Sequence, residues 1–183
     1  MNDYRMYVQA IARAGDARQT ILNRSPAHAS IIVATVFGAT QRLIEILTSN
    51  LRDDIYGTPE VIEAAVTFLT RNPEARIDII TVDGLLPANS RFLAALQAHR
   101  VVNDRVFVGR CSEGQARVHG FRFLVGDGQH YRFQEDPTNT EAIVQFGRNE
   151  TGRKLHEIFI ALAENVERIP LNLLPLAPDQ IAI

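Results

Sequence analysis

Over residues 2–23 apolar side chains recur every three or four positions: Tyr4, Tyr7 or Val8, Ile11 and Ala14, then Ile21 and Leu22. Arg5, Arg13, Asp16 and Arg18 fill the gaps, so the pattern predicts an amphipathic helix, with Gly15 as a point of interruption. Ser25-Pro26 is a helix start, a capping Ser followed by Pro at the first helical position, and it opens a second helix over 27–39. The run at 30–37, SIIVATVF, is β-branched enough for a buried strand, but the cap and the small residues favour helix. Being apolar nearly all round, this helix must be deeply buried or lie at an interface. A short strand is predicted at 42–48, then a polar connection. Thr58-Pro59-Glu60 opens a helix that buries Val61, Ile62, Ala65, Phe68 and Leu69 and stops at Asn72-Pro73. A second strand at 76–82 is rich in Ile and Val, as suits a sheet covered on both faces, and Asp83-Gly84 ends it. Asn89-Ser90 starts a helix to about His99 with Phe92, Leu93 and Leu96 inward, and a third strand follows at 104–109. Strand, helix, strand, helix, strand argues for a parallel α/β sheet with right-handed crossovers.

The pattern changes after Arg110. A polar loop leads to two strands, 118–125 and 130–134, joined by the turn dipeptide Asp127-Gly128. A short strand at 142–146 and a helix at 153–166, burying Leu155, Ile158, Phe159 and Leu162, complete the regular elements. The end of the chain is Pro-rich and aliphatic, without a period. The resulting division is an N-terminal helix (1–24), an α/β domain (25–168) and an apolar tail (169–183).

Composition narrows the possibilities. The 183 residues are 46% hydrophobic and 22% charged, enough for one good core. A formal charge of -2 excludes a global electrostatic grip on nucleic acid; any such binding needs a local patch. The single cysteine, Cys111, excludes an internal disulfide framework and fits a reducing compartment. The charged N-terminus is unlike a signal peptide, and no apolar run approaches the ~20 residues a bilayer span takes. These features predict a cytoplasmic protein. Asp53, Asp54 and Asp83 have no His or Cys at ligand spacing, and there is neither a Walker motif nor G-x-G-x-x-G, so neither a metal nor a cofactor is expected.

The chemistry-bearing residues concentrate at 117–136, where His119, Arg122, Asp127, His130 and Arg132 fall on the predicted hairpin. Here a family pattern emerges. ILTSNLRDDIYGTPEVIEAAVTFL, then IDIITVD, followed by GFRFLVGDG, YRFQ, EAIVQFG and LHEIF, resembles small bacterial domains of the phospholipase D-like superfamily in order and pattern over residues 25–166. The resemblance implies a mixed β-sheet flanked by helices on both faces. It also implies a site built on His-x-Lys, four residues, Asp, with Gly-Ser-x-Asn further on. In that chemistry the His attacks phosphorus, the Lys and Asn neutralise phosphoryl oxygens, and the Asp orients the His. Two motifs make one site, so a chain with one motif is expected to be a homodimer.

Aligned on Asp127, the cation position falls on Arg122 and the nucleophile position on Gly120. His119 is one residue off, which on a strand means the opposite face unless Gly120 carries a bulge. His130-Tyr131-Arg132 gives His-x-Arg, but Pro137 holds the carboxylate position; His28, His99 and His156 have no cation two residues on. The departures point to a non-catalytic member that keeps the fold. An Arg in place of Lys keeps charge and forks onto phosphate, so Arg122, Asp127, His130 and Arg132 are the expected ligand-binding set. The enzymatic alternative is a phosphodiesterase or nuclease with His119 or His130 as nucleophile. Simpler explanations stand beside these: Asp127-Gly128 as turn chemistry, and the two arginines as a cross-strand polar face. Leu171, Leu173, Leu174 and Leu176 are too apolar for water and are expected to dock on a partner chain, which makes an interaction subunit the third alternative.

Overall fold

The computed structural model describes residues 1–82, 90–99, 102–111 and 120–174. The elements in chain order are α1 (Asn2–Ala14), β1 (Ile21–Asn23), α2 (Pro26–Ala39), β2 (Leu43–Thr48), α3 (Pro59–Arg71), β3 (Arg76–Thr81), α4 (Arg91–Ala98), β4 (Val106–Arg110), β5 (Arg122–Gly126), β6 (His130–Gln134), β7 (Ala142–Gln145), α5 (Glu150–Ala163) and β8 (Arg168–Pro170). They build one eight-stranded sheet in the order β1-β7-β6-β5-β2-β3-β4-β8. β2, β3 and β4 run parallel, as the strand-helix alternation requires, and the other pairings are antiparallel.

Alternation along the strands makes two cores. Ile44, Ile46, Ile77, Ile79, Val106, Val108, Leu124 and Val144 pack with Phe37, Phe68 and Phe92 beneath helices α1 to α4. On the opposite face Leu47, Ile80, Phe123, Val125 and Tyr131 meet Leu155, Phe159 and Leu162 of α5. The sheet is thus mixed and flanked by helices on both faces. α2 is apolar all round because it is enclosed by α1, α3 and the sheet. Its start is the expected cap, with Ser25 Oγ accepting the His28 N–H at 3.2 Å.

Several boundaries differ from the sequence expectation. The first helix stops at Ala14, because Gly15 takes the left-handed conformation (φ 60) and closes it, and residues 21–23 become the edge strand β1. Asn149 caps α5 by accepting the Gly152 N–H, so that helix begins at Glu150 rather than Arg153. At the beginning of the tail, two of the four leucines expected to face a partner pack in their own domain instead. Leu171 and Leu174 are buried in the core beneath α4, with both carbonyls held by the Gln97 amide at 2.9 and 3.0 Å; Leu173 is 69% exposed, and Leu176 lies outside the described residues. A helix-face amide that satisfies two backbone acceptors lets an irregular segment enter a core. No helix among the described residues is long and apolar enough to cross a membrane.

Candidate functional site

The hairpin at β5–β6 positions the candidate residues, and its register separates them into two groups. Leu47 of β2 pairs with Phe123, which sets Arg122 beside the carboxyl end of β2; Arg122 pairs with Gln134, and Leu124 pairs with Arg132. Residues at alternate positions share a face, so Arg122, Arg132 and Gln134 all point to the α2 side. There they line one cavity with Ser49 and Arg52 from the loop after β2 and Tyr56 beneath it. Gly126 and His130 pair at the other end of the hairpin. Four residues at ~3.3 Å each put that end roughly 13 Å from Arg122.

Asp127 belongs to this far end. It adopts φ 51 and Gly128 φ 65, and Gln129 N–H closes the turn onto the Gly126 carbonyl at 2.9 Å. The Asp127 carboxylate accepts the N–H groups of Gln41, Arg42 and Leu43 at 2.7, 3.1 and 2.9 Å. Its own N–H donates to the Leu43 carbonyl at 2.9 Å. Asp127 therefore ties the hairpin to the entry of β2. His130 Nδ1 accepts the Gly147 N–H at 3.0 Å, which fixes the neutral acceptor form on that nitrogen. Burial pulls the His130 pKa down, opposed by the Asp127 charge. Neither residue reaches the arginine cavity. His119 lies outside the described residues.

Arg132 is the most unusual group at the near end. It is 4% exposed, and no carboxylate among the described residues pairs with it. Nε donates to Asn23 Oδ1 at 3.0 Å, Nη1 to Gln134 Oε1 at 3.1 Å and Nη2 to the Thr140 carbonyl at 3.2 Å. Both amides are oriented by their other ends: Asn23 Nδ2 donates to the Ser25 carbonyl, and Gln134 Nε2 to the carbonyls of Asp136 and Asn139. Burial draws the guanidinium pKa below its ordinary value, with Tyr56 and Tyr4 opposing and Arg52 reinforcing the shift. A buried cation held only by neutral dipoles carries an uncompensated desolvation cost of several kcal/mol by general estimate. Arg122 Nε donates to Ser49 Oγ at 2.7 Å, and Arg52 is forked onto Asp54 at 3.0 and 2.6 Å. Cys111 is buried, and its thiol is pushed up by burial despite the nearby Arg122 charge, which makes it a poor nucleophile.

A second polar cluster lies under α5. Glu45 on β2 and Asp78 on β3 are register neighbours, each 1% exposed. Glu45 Oε2 is 2.7 Å from His156 Nδ1, and Asp78 Oδ2 takes Arg76 at 3.1 Å and Arg168 at 2.8 Å. Glu45 Oε1 and Asp78 Oδ1 are buried without a hydrogen-bond partner among the described residues. Burial pushes the Glu45 carboxyl up to about 7, against the pull of His156. The same cause raises Asp78. Among the described residues, no group of three His, Cys, Asp or Glu is disposed to hold a metal ion. The sequence signal for this cluster was one carboxylate at the third position of each central strand, LIEILT and RIDIIT. Ser49, Arg52, Tyr56 and Asn23 had no such signal, because they come from two stretches, 49–56 and β1, both remote from the hairpin in sequence.

No family model and no curated protein sequence matches the chain. Solved structures do. Nuc from Salmonella typhimurium, a phospholipase D family member, is 12% identical, with a TM-score of 0.57 over 82% of this chain and 97% of that one. NucT from Helicobacter pylori is 12% identical, with a TM-score of 0.56 over 82% and 99%. TrmBL2, an archaeal chromatin protein whose structure shows a novel mode of DNA binding, is 14% identical, with a TM-score of 0.59 over 86% of this chain and 55% of its own. At such identities the likeness is one of fold: the chain has the phospholipase D-like α/β fold.

Proposed function

We propose that this chain is a non-catalytic phospholipase D-like module that binds a phosphate-bearing ligand through Arg122 and Arg132. The observation that carries the reading is a cavity lined by Arg52, Arg122 and Arg132 and, among the described residues, by no carboxylate, histidine or cysteine. Guanidinium groups converging on one space fork onto phosphate oxygens. Gly120 stands where the superfamily's motif requires a nucleophile, and the Asp127 carboxylate is engaged by three backbone N–H groups. Asp127 and His130, expected as ligand groups, take structural roles in this proposal. The expected partner is a second copy of the chain in the cytoplasm. Leu22 and Ile143, register neighbours that are 59% and 41% exposed, support such a contact.

Calorimetric titration with inorganic phosphate tests the binding reading. Saturable binding to the wild type, weakened tenfold or more in Arg122→Gln, is the expected result. Binding that ignores Arg122 overturns it. Metal-free hydrolysis of bis-phenyl phosphate, abolished in His119→Ala or His130→Ala, would establish the enzymatic alternative and remove the non-catalytic one. Sedimentation of the full chain decides the dimer.

A further inference from the structure

We infer that the cavity takes a terminal phosphate, a phosphomonoester dianion, in preference to an internal diester, and that Arg132 is the residue that enforces this. The inference rests on the phosphate-binding reading above and goes on to name its ligand class.

The shape is the first argument. The cavity is small, about 40 Å³, and graded in exposure. Ile55, Tyr56 and Arg132 are buried, Asn50 is exposed, and Arg52, Arg122, Gln134 and Pro137 are half-buried between them. A monoester enters with its free oxygens toward the buried residues and its single substituent trailing toward the exposed ones. A diester can present only two free oxygens to the buried residues, and its second substituent has to share the mouth with the first.

Donor geometry is the second. A guanidinium has five N–H donors. Three of those on Arg132 are engaged, all by neutral acceptors. The remaining donors belong to a side chain that lines the cavity. A terminal phosphate brings three strong acceptor oxygens; a diester brings two.

Charge is the third. Arg132 is buried without a counter-charge among the described residues, and Arg52 already has Asp54. A monoester carries about −1.5 to −2 at neutral pH with a second pKa near 6, whereas a diester carries one charge at all working pH values. The ligand that compensates the buried guanidinium best is the dianion.

A terminal phosphate occurs on small phosphoesters and on the ends of nucleic-acid strands, and the experiment separates the two. Titrations of the full chain at pH 7.5 compare phenyl phosphate with diphenyl phosphate, and a 5′-phosphorylated oligothymidine with its 5′-hydroxyl counterpart. At least tenfold preference for phenyl phosphate is expected, reduced to parity in Arg132→Lys, which keeps the charge and loses the fork. The preference also falls as pH drops from 7.5 to 5.5, since only the monoester loses a charge. Tighter binding of the phosphorylated oligonucleotide than of phenyl phosphate identifies a strand end as the source; equal binding identifies a small phosphoester. Equal affinity for the two phenyl compounds overturns the inference and leaves the binding reading intact. Absence of binding by both overturns both. Should Arg132→Lys fail to fold, the pH dependence and Arg52→Ala, expected to weaken phenyl phosphate more than diphenyl phosphate, decide the matter. A preference that neither lowered pH nor Arg52→Ala changes then refutes it.

Discussion

Glu45→Gln should make the protein more stable at pH 7.5 than at pH 4.5 relative to the wild type, by about 3 kcal/mol, because Glu45 is a carboxyl that folding forces to hold its proton. Its folded pKa is raised from 4.5 to about 7, mainly by burial between the sheet and α5. With 1% of the residue exposed, solvent screening does not dilute the effect. The sign follows from which state binds the proton. Below pH 4.5 both states are protonated and the contribution is complete. Between pH 4.5 and 7 the unfolded chain releases the proton and the folded chain keeps it, so stability declines with rising pH. Above 7 both are ionised and the loss is complete. Roughly 2.5 units at 1.36 kcal/mol each gives the figure of about 3 kcal/mol. Glutamine keeps the shape and a bond to His156 but cannot ionise, so this decline vanishes in the variant. Urea unfolding followed by circular dichroism at pH 4.5, 5.5, 6.5 and 7.5 measures the difference directly. Parallel profiles for variant and wild type would refute the reasoning. His156→Ala removes a bond that pulls the Glu45 carboxyl down, and its decline should extend above pH 7.

Asp127→Ala removes the acceptor for three backbone N–H groups and should cost about 3 kcal/mol in chemical denaturation, with phosphate affinity of the folded fraction unchanged; a loss of affinity without a loss of stability would return Asp127 to the ligand site. Leu171→Ala empties a fully buried position and should cost about 2–5 kcal/mol while leaving the oligomeric state as it was, measured by thermal unfolding and sedimentation. Gly126→Ala drives a methyl group into Thr40 Oγ1 at the β5–α2 contact, and about 1–3 kcal/mol of destabilisation is expected from such overpacking; a neutral result would mean that Thr40 can give way.

Much of the architecture was legible from local signals. The capping Ser25 and its Pro, the Ile- and Val-rich strands and the Asp127-Gly128 turn are short-range features, and they specify β2, β3, β4, the helices between them and the hairpin. Wherever an element depends on what it packs against, the sequence was silent. The helix expected over 2–23 breaks at Gly15 because the chain must turn to lay β1 along β7, about 120 residues further along the chain. Leu171 and Leu174 looked like a partner-facing tail because their partner, Gln97, lies on α4.

The site shows the same division more sharply. Residue types and their spacing placed Arg122, Asp127, His130 and Arg132 on one hairpin, and the resemblance to the phospholipase D-like pattern set Gly120 at the expected nucleophile position. Whether those residues meet was not decided by sequence proximity. In an antiparallel hairpin, residues near the turn sit at one end of the sheet and those at the strand ends at the other, so Asp127 and His130 close the turn while Arg122 reaches the carboxyl end of β2. The burial of Arg132 and its neutral partners Asn23, Gln134 and Thr140 come from β1, β6 and the loop before β7, which only the folded sheet brings together. Periodicity and capping are written in neighbouring residues. Burial, charge compensation and the shape of a cavity are properties of contacts between distant ones, and here those contacts turn a cluster of polar residues into one arginine-lined cavity and one structural turn.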